Sequence, residues 1–146
     1  MPGPRGCRGL SRAAPTRVLV VEDFEPFRRF ILSTLESMPD LQVVGEVSDG
    51  MDAVRKAAEL QPDLILMDIG LPSLNGIEAA RQIRKLDPEP KIIFLSQESS
   101  ADVVQEALSL GAQGYVVKAM AAGKLLTAVE AVLQGETFVS GTDGNR

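Results

Sequence analysis

The stretch LILMDIGLPSLNG, residues 64–76, decides how the rest of the sequence is interpreted. Four apolar residues run directly into Asp68, and glycine, proline and asparagine follow. A continuous apolar run bounded by turn formers is typical of a short strand that is covered on both faces. Taken alone, Asp68 is an ordinary turn residue. It becomes a candidate functional group only if other strands of the chain also end in reactive side chains.

The pattern of strand followed by helix occurs five times from residue 17 onward. The predicted strands are RVLVV (17–21), LQVVGEV (41–47), DLILM (63–67), KIIFL (91–95) and GYVV (114–117). Helical patterns follow them at residues 25–38, 50–60, 76–86, 101–110 and 121–134. Five successive βα units predict an α/β domain with a parallel sheet and helices on both faces.

Local signals mark where the predicted helices begin, end and face the core. Asp49 and Ser100 are plausible N-caps, while Gly111 and Gly135 are placed to end helices. Apolar residues at helical spacing predict the buried faces of the second and third helices. These residues are Met51, Val54 and Ala58 in the second helix, and Ala79, Ile83 and Leu86 in the third.

The size and composition of the chain restrict its class. A length of 146 residues is typical of one domain. The single cysteine, Cys7, excludes an intrachain disulfide and fits a reducing compartment. No apolar run approaches the roughly 18 residues of a membrane span. We therefore expect a cytoplasmic protein without a membrane partner.

The two ends of the chain differ from its middle. Residues 1–16 are predicted to be a disordered arm, because the first 17 residues carry four arginines and no acid. Setting these arginines aside leaves 11 of the 15 basic residues against 20 acidic ones, a net charge of −9. Such a body is not typical of a DNA-binding surface, although a nucleic-acid-binding arm stays open. Residues 17–135 are the predicted domain, and residues 136–146 are a tail or the start of a linker to a missing output domain.

Polar side chains follow four of the five predicted strands. Glu22 and Asp23 follow the first strand, Asp68 the third, Ser96 the fourth and Lys118 the fifth. The carboxyl ends of parallel strands face one binding crevice in open α/β sheets. Each residue alone has an ordinary interpretation as a cap, a turn residue or a surface group. Their shared placement predicts one site.

The chemistry of this set favours a metal-dependent phosphoryl acceptor. Three clustered carboxylates repel one another, and Mg²⁺ prefers such oxygen ligands while keeping several waters. Glu22, Asp23 and Asp68, with the backbone carbonyl of Gly70, are the predicted ligands of Mg²⁺, for which Mn²⁺ is an alternative. Asp68 would attack phosphorus and form an acyl phosphate. Lys118 would offset charge on the phosphoryl oxygens, and Ser96 would donate a hydrogen bond to one of them.

Four motifs resemble the receiver domain of two-component response regulators over residues 17–134. They are RVLVVEDFEPFR, PDLILMDIGLPSLNGIEAAR, KIIFLS and GAQGYVVKA. The resemblance implies a flavodoxin-like three-layer sandwich whose five-stranded sheet has the order 2-1-3-4-5. It also implies that Asp68 is the phosphoacceptor, that Lys118 is the site lysine, and that Ser96 and Tyr115 form the switch pair. Ala119 and Gln97 depart from the proline and the small residue that are common at their positions.

The resemblance also implies the partners of the chain. They are a sensor histidine kinase and, through a LuxR-type output domain absent from this chain, DNA; a phosphorylation-dependent homodimer is allowed. A receiver is not an enzyme in the ordinary sense, because it catalyses only its own phosphorylation and dephosphorylation. The alternative within the family is a stand-alone receiver that acts by protein–protein interaction.

Three other classes of protein fit parts of the pattern. A flavin-binding electron carrier would place phosphate near Glu22 and Asp23, which repel it, and the chain has one tyrosine and no tryptophan for stacking. A phosphatase with an aspartyl nucleophile would be expected to carry an acid two residues after Asp68, where Gly70 stands. A docking module without phosphorylation would not need all five site groups.

Overall fold

The computed structural model describes residues 14–98 and 100–140, so the predicted arm lies almost wholly outside the described residues. The elements in chain order are β1 (Thr16–Val21), α1 (Glu25–Glu36), β2 (Leu41–Val47), α2 (Gly50–Leu60), β3 (Leu64–Asp68), α3 (Gly76–Leu86), β4 (Lys91–Ser96), α4 (Ala101–Ser109), β5 (Gly114–Val117), α5 (Ala121–Leu133) and β6 (Phe138–Val139). A turn of 3₁₀-helix, Lys118–Met120, joins β5 to α5.

The strands form one parallel sheet in the order β2-β1-β3-β4-β5-β6. The predicted five-stranded order is confirmed, and β6 extends it at the β5 edge. Asp68 and Ser96 are the last residues of their strands rather than the first residues beyond them. The register pairs Asp68 with Leu95, and Ser96 with Val117, so the polar residues of neighbouring strands are offset by only one position along the sheet.

Two hydrophobic clusters cover the two faces of the sheet, which confirms the three-layer sandwich. Alternate residues of each central strand point to opposite faces. In β3, Ile65 and Met67 contact the layer of α2, α3 and α4, whereas Leu64 and Leu66 contact α1 and α5. Every residue of β3 is buried, so Asp68 ends a strand that is shielded on both sides.

The predicted helix ends are confirmed. The Asp49 side chain accepts a hydrogen bond from the Asp52 N–H at 2.8 Å, and Ser100 caps α4 in the same way. Gly111 and Gly135 have φ values of 99° and 93°, a left-handed conformation that glycine adopts without strain. None of the described helices is long and apolar enough to cross a bilayer.

The predicted buried faces of α2 and α3 are partly wrong. Met51 and Leu86 are 61% and 66% exposed, and α2 instead buries Gly50, Ala53 and Ala57. For α2 the reason is its close approach to the loop after β3, where a Cβ on Gly50 would lie 1.8 Å from the Leu74 carbonyl oxygen. A helix packed so closely needs small residues on its inner face, and its large side chains therefore turn outward.

The segment after α5 is also different from the prediction. Residues 136–146 are predicted to be a tail or the start of a linker, but within the described part of this segment Phe138–Val139 form a sixth strand beside β5. The Phe138 N–H donates to the Gln113 carbonyl at 3.0 Å, and the Ser140 N–H donates to the Tyr115 carbonyl at 2.9 Å. Two residues are too few to show a strand period, which is why the sequence pattern missed this strand.

Candidate functional site

The structure brings the predicted site residues together in one cleft of about 790 Å³ at the carboxyl end of the sheet. Asp23, Asp68, Ser96 and Lys118 line this cleft, and Glu22 lies beneath it in contact with Lys118. The loops that follow β1, β3, β4 and β5 contribute its walls. The second strand, β2, contributes no lining residue.

Asp68 is held at the end of β3 with 5% of its surface exposed. Its Oδ1 atom accepts a hydrogen bond from the Gly70 N–H at 3.1 Å and lies 3.3 Å from Lys118 Nζ. Burial raises the pKa of Asp68 above its ordinary value, and the positive charge of Lys118 opposes this shift. Asp68 therefore has one oxygen fixed by a backbone amide and an ammonium beside it.

The turn after Asp68 depends on a glycine at the start of α3. The Gly76 N–H donates to the Ile69 carbonyl at 2.8 Å, which closes the loop back onto the strand end. A Cβ on Gly76 would lie 2.2 Å from the Asp68 carbonyl oxygen. The absence of a side chain at Gly76 is therefore required for the backbone that presents the Asp68 carboxylate.

Glu22 is fully buried below the cleft. Its Oε2 atom accepts hydrogen bonds from the Phe24 N–H and from Lys118 Nζ, both at 3.1 Å. Its Oε1 atom also lies 3.1 Å from the ammonium, but no hydrogen bond is directed at it. Burial and the negative charge of Asp68 raise the pKa of Glu22.

Three carboxylates form a candidate metal centre. One oxygen from each of Glu22, Asp23 and Asp68 lies within 4.8 Å of the other two. Asp23 is exposed at the rim, so water can reach the cluster. An all-oxygen donor set with solvent access suits Mg²⁺, which retains water ligands, and the buried Glu22 Oε1 has no competing hydrogen bond. The residues present therefore fit a hard divalent cation. Gly70, also predicted as a ligand, lies in the cleft wall.

Lys118 lies between the acids and an aromatic ring. Its side chain is 15% exposed, and its Nζ lies 4.9 Å from the centre of the Phe27 ring. This is the geometry of a cation–π contact. Phe27 in turn packs against Phe30, with ring centres 5.4 Å apart. Sequence analysis did not identify Phe27 as a site residue, because helical spacing cannot separate a core aromatic from one that faces a cleft.

Ser96 and Tyr115 are joined through one residue of the loop after β4. The Glu98 N–H donates to Ser96 Oγ at 2.9 Å, and the Tyr115 hydroxyl donates to the Glu98 carbonyl at 2.8 Å. Tyr115 is fully buried, and this burial raises its pKa. The tyrosine therefore lies in the inward position, and the two predicted switch residues hold the two peptide groups on either side of the Glu98 Cα atom.

The comparisons with known proteins agree with this geometry. The family described as "Response regulator receiver domain" matches residues 18–130. The transcriptional regulatory protein LiaR of Bacillus subtilis is 41% identical over 120 residues, which cover 82% of this chain and 57% of LiaR. The chemotaxis protein CheY of Thermotoga maritima is 38% identical over 116 residues, covering 80% of this chain and 96% of CheY.

Solved structures show the same fold. A LuxR-family two-component response regulator from Aurantimonas sp. SI85-9A1 has a TM-score of 0.82 and 33% identity, over 87% of this chain and 91% of that chain. CheY in a complex with CheX, BeF₃⁻ and Mg²⁺ from Borrelia burgdorferi has a TM-score of 0.76 and 26% identity, over 84% and 92%.

The relatives differ in how much of their length is matched. The chain spans 57% of LiaR and 52% of the DegU protein of Brevibacillus brevis, both named as transcriptional regulatory proteins. The chain therefore spans about half the length of these two curated relatives. The sheet order and the family match across most of the described residues show that the chain belongs to the response regulator receiver-domain family, in the branch whose relatives include LuxR-type regulators.

Proposed function

We propose that this chain is a phosphorylation switch in which Asp68 accepts a phosphoryl group from a sensor histidine kinase. The observation that supports this most directly is the position of the Lys118 ammonium, 3.3 Å from Asp68 Oδ1 and next to three clustered carboxylates. A carboxylate that lines an open cleft can reach an incoming phosphorus atom. A lysine and a cation beside it can offset the charge that arrives with the phosphoryl group.

The transfer is an in-line displacement at phosphorus. A carboxylate oxygen of Asp68 forms a bond to phosphorus, the bond from phosphorus to the histidine nitrogen breaks, and the imidazole leaves with the electron pair. The product is an acyl phosphate on Asp68. Lys118 offsets negative charge on the transferred group, and the Gly70 N–H holds the carboxylate. A Mg²⁺ ion held by Glu22, Asp23 and Asp68, with the Gly70 carbonyl as a further ligand, would supply the remaining positive charge.

The switch follows from the shared contacts of Ser96 and Tyr115. Ser96 Oγ accepts from the Glu98 N–H, and it would turn to donate to a phosphoryl oxygen on Asp68. That exchange leaves Glu98 held by Tyr115 alone and changes the loop that leads into α4. The surface formed by α4, β5 and α5 would then differ between the two states. Such a change is a local charge event that biases a two-state element.

The output of the switch is proposed from the relatives. Their LuxR-type character supports regulation of transcription through a DNA-binding domain outside this chain. The alternative, a stand-alone receiver that acts by protein contact, is favoured by the near-complete coverage of the Thermotoga CheY. The coding sequence that follows Arg146 in the parent gene distinguishes the two, because only the first requires an output domain there.

The central experiment is phosphorylation by acetyl phosphate with Mg²⁺, followed by intact mass measurement. We expect one added phosphoryl group on the wild type, none after chelation of the metal, and none on Asp68→Asn. Asp40→Asn is the matched control, because Asp40 is an exposed carboxylate directly before β2, at the other end of the sheet. Labelling of Asp68→Asn at the wild-type level would show that another residue is the acceptor.

A further inference from the structure

The carboxyl end of β5 is held by a residue outside the matched family region. The Val117 N–H is buried and donates to Ser140 Oγ at 3.1 Å. Ser140 is itself 4% exposed, and it directly follows the two apolar residues of β6. The family match ends at residue 130, ten residues before Ser140.

Ser140 makes a second bond to the same short strand. Its backbone N–H donates to the Tyr115 carbonyl at 2.9 Å, and its side chain accepts from Val117, two residues further on. The strand β5 has only four residues, and β6 is its sole neighbour on the outer side. Ser140 therefore fixes the end of the β5 backbone, directly before Lys118, on the edge of the strand that faces away from β4.

We propose that Ser140 is a positioning residue for Lys118 and, resting on the function proposed above, for phosphorylation of Asp68. A buried N–H without an acceptor carries a desolvation penalty, so the backbone at Val117 would shift to find water. Lys118 is the next residue, and its ammonium lies 3.1 Å from Glu22 and 3.3 Å from Asp68. A shift at Val117 therefore moves the ammonium relative to both acids.

A merely structural role for Ser140 makes different predictions. If Ser140 only closed the sheet edge, its loss would lower stability without moving the Lys118 side chain. The Phe27 ring provides a direct reporter, because Lys118 Nζ lies 4.9 Å from the ring centre and the protons on the adjacent Cε atom are expected to experience the ring current. This reporter needs neither metal nor phosphorylation.

The first experiment measures the metal-free, unphosphorylated chain by NMR. In Ser140→Ala we expect faster amide hydrogen exchange at Val117 and a shift of the Lys118 ε-proton resonance toward its random-coil position. Ser140→Thr keeps the hydroxyl and is expected to restore both. Ser37→Ala is the control, because Ser37 Oγ is exposed and donates to the Thr34 carbonyl at the end of α1. An unchanged Lys118 resonance in folded Ser140→Ala would overturn the proposal.

The second experiment is a double-mutant cycle on the rate of phosphorylation by acetyl phosphate. Ser140→Ala should slow labelling about tenfold, within the roughly hundredfold loss that misplacement of a catalytic group can cause. It should have no further effect when Lys118 is already alanine, because both changes act on one group. Equal slowing in both backgrounds would overturn the proposal. If the wild type accepts no phosphoryl group at all, the proposed function fails, and the NMR comparison still decides whether Ser140 positions Lys118.

Discussion

Lys118 Nζ lies 3.3 Å from Asp68 Oδ1, and the same ammonium lies 3.1 Å from both carboxylate oxygens of Glu22. One cation thus serves two buried acids, and Asp23 adds a third carboxylate at the rim. The four groups together carry a net charge of −2 when all are ionised. A divalent cation would neutralise this residual charge. Without a cation, the buried acids lower the stability of the fold at neutral pH.

Replacement of Lys118 should separate metal binding from charge compensation. Lys118→Ala is expected to keep Mg²⁺ affinity, because no ligand is lost, and to lower the metal-free free energy of unfolding by about 2 kcal/mol. The loss is below the roughly 3–5 kcal/mol of a broken, fully buried ion pair, since the cleft admits water.

Urea denaturation measures the free energy of unfolding of Lys118→Ala, and Mg²⁺ titration measures its metal affinity. Lys124→Ala, at an exposed position of α5, is the control. Phosphorylation-dependent changes as large in Lys118→Ala as in the wild type would contradict the role of the lysine.

The acids of the site should give the metal-free protein an unusual pH dependence. Burial raises the pKa of Glu22 and of Asp68 above their ordinary values of 4.5 and 3.8. The folded chain then binds protons at these groups more tightly than the unfolded chain does. Their contribution to the free energy of unfolding therefore increases as the pH falls from neutral through the raised pKa values, and this gain is complete below the ordinary values.

The Asp68→Asn variant isolates that contribution. At neutral pH without metal it should be more stable than the wild type, and the difference should shrink as the pH falls. Adding Mg²⁺ should stabilise the wild type more than the variant, because the variant lacks one carboxylate ligand. Urea denaturation across pH, with chelator or with Mg²⁺, measures this. If the metal-free wild type were more stable than Asp68→Asn at neutral pH, the destabilising effect assigned to the buried Asp68 carboxylate would be contradicted.

Gly76 should be intolerant of any side chain. In Gly76→Ala the new Cβ would lie 2.2 Å from the Asp68 carbonyl oxygen, so the loop that presents Asp68 must shift. We expect a loss of about 1–3 kcal/mol in the free energy of unfolding and slower labelling at Asp68. Gly123→Ala is the matched control, because nothing lies within 4 Å of its added Cβ. It should leave labelling unchanged and raise stability by about 0.5 kcal/mol. Similar effects of the two substitutions on labelling would argue against the close approach at Gly76.

The sequence predicts those parts of the fold that depend on periodicity and on strand ends. Apolar runs identify the central strands, and the polar residues that follow them identify which side chains meet, because parallel strands end at one edge. The exposure of Met51 was not predicted, because the close contact of α2 with the Leu74 backbone is a tertiary constraint. Leu86 is the last residue of α3, where helical spacing no longer decides which side chains are buried. Phe27 and Ser140 were missed for a related reason. The local sequence pattern does not distinguish Phe27, whose ring contacts Lys118, from an ordinary core residue. Nor does it distinguish Ser140, whose hydroxyl accepts from Val117, from an ordinary tail residue.

The most direct test of the central claim is chemical identification of the phosphorylated residue. Borohydride reduces an aspartyl phosphate to homoserine with release of phosphate, and peptide mass spectrometry locates the new residue. After treatment with acetyl phosphate and Mg²⁺, we expect homoserine at position 68 and nowhere else in the chain. Homoserine at position 23, or a phosphorylated chain that yields no reduced residue at position 68, would contradict it.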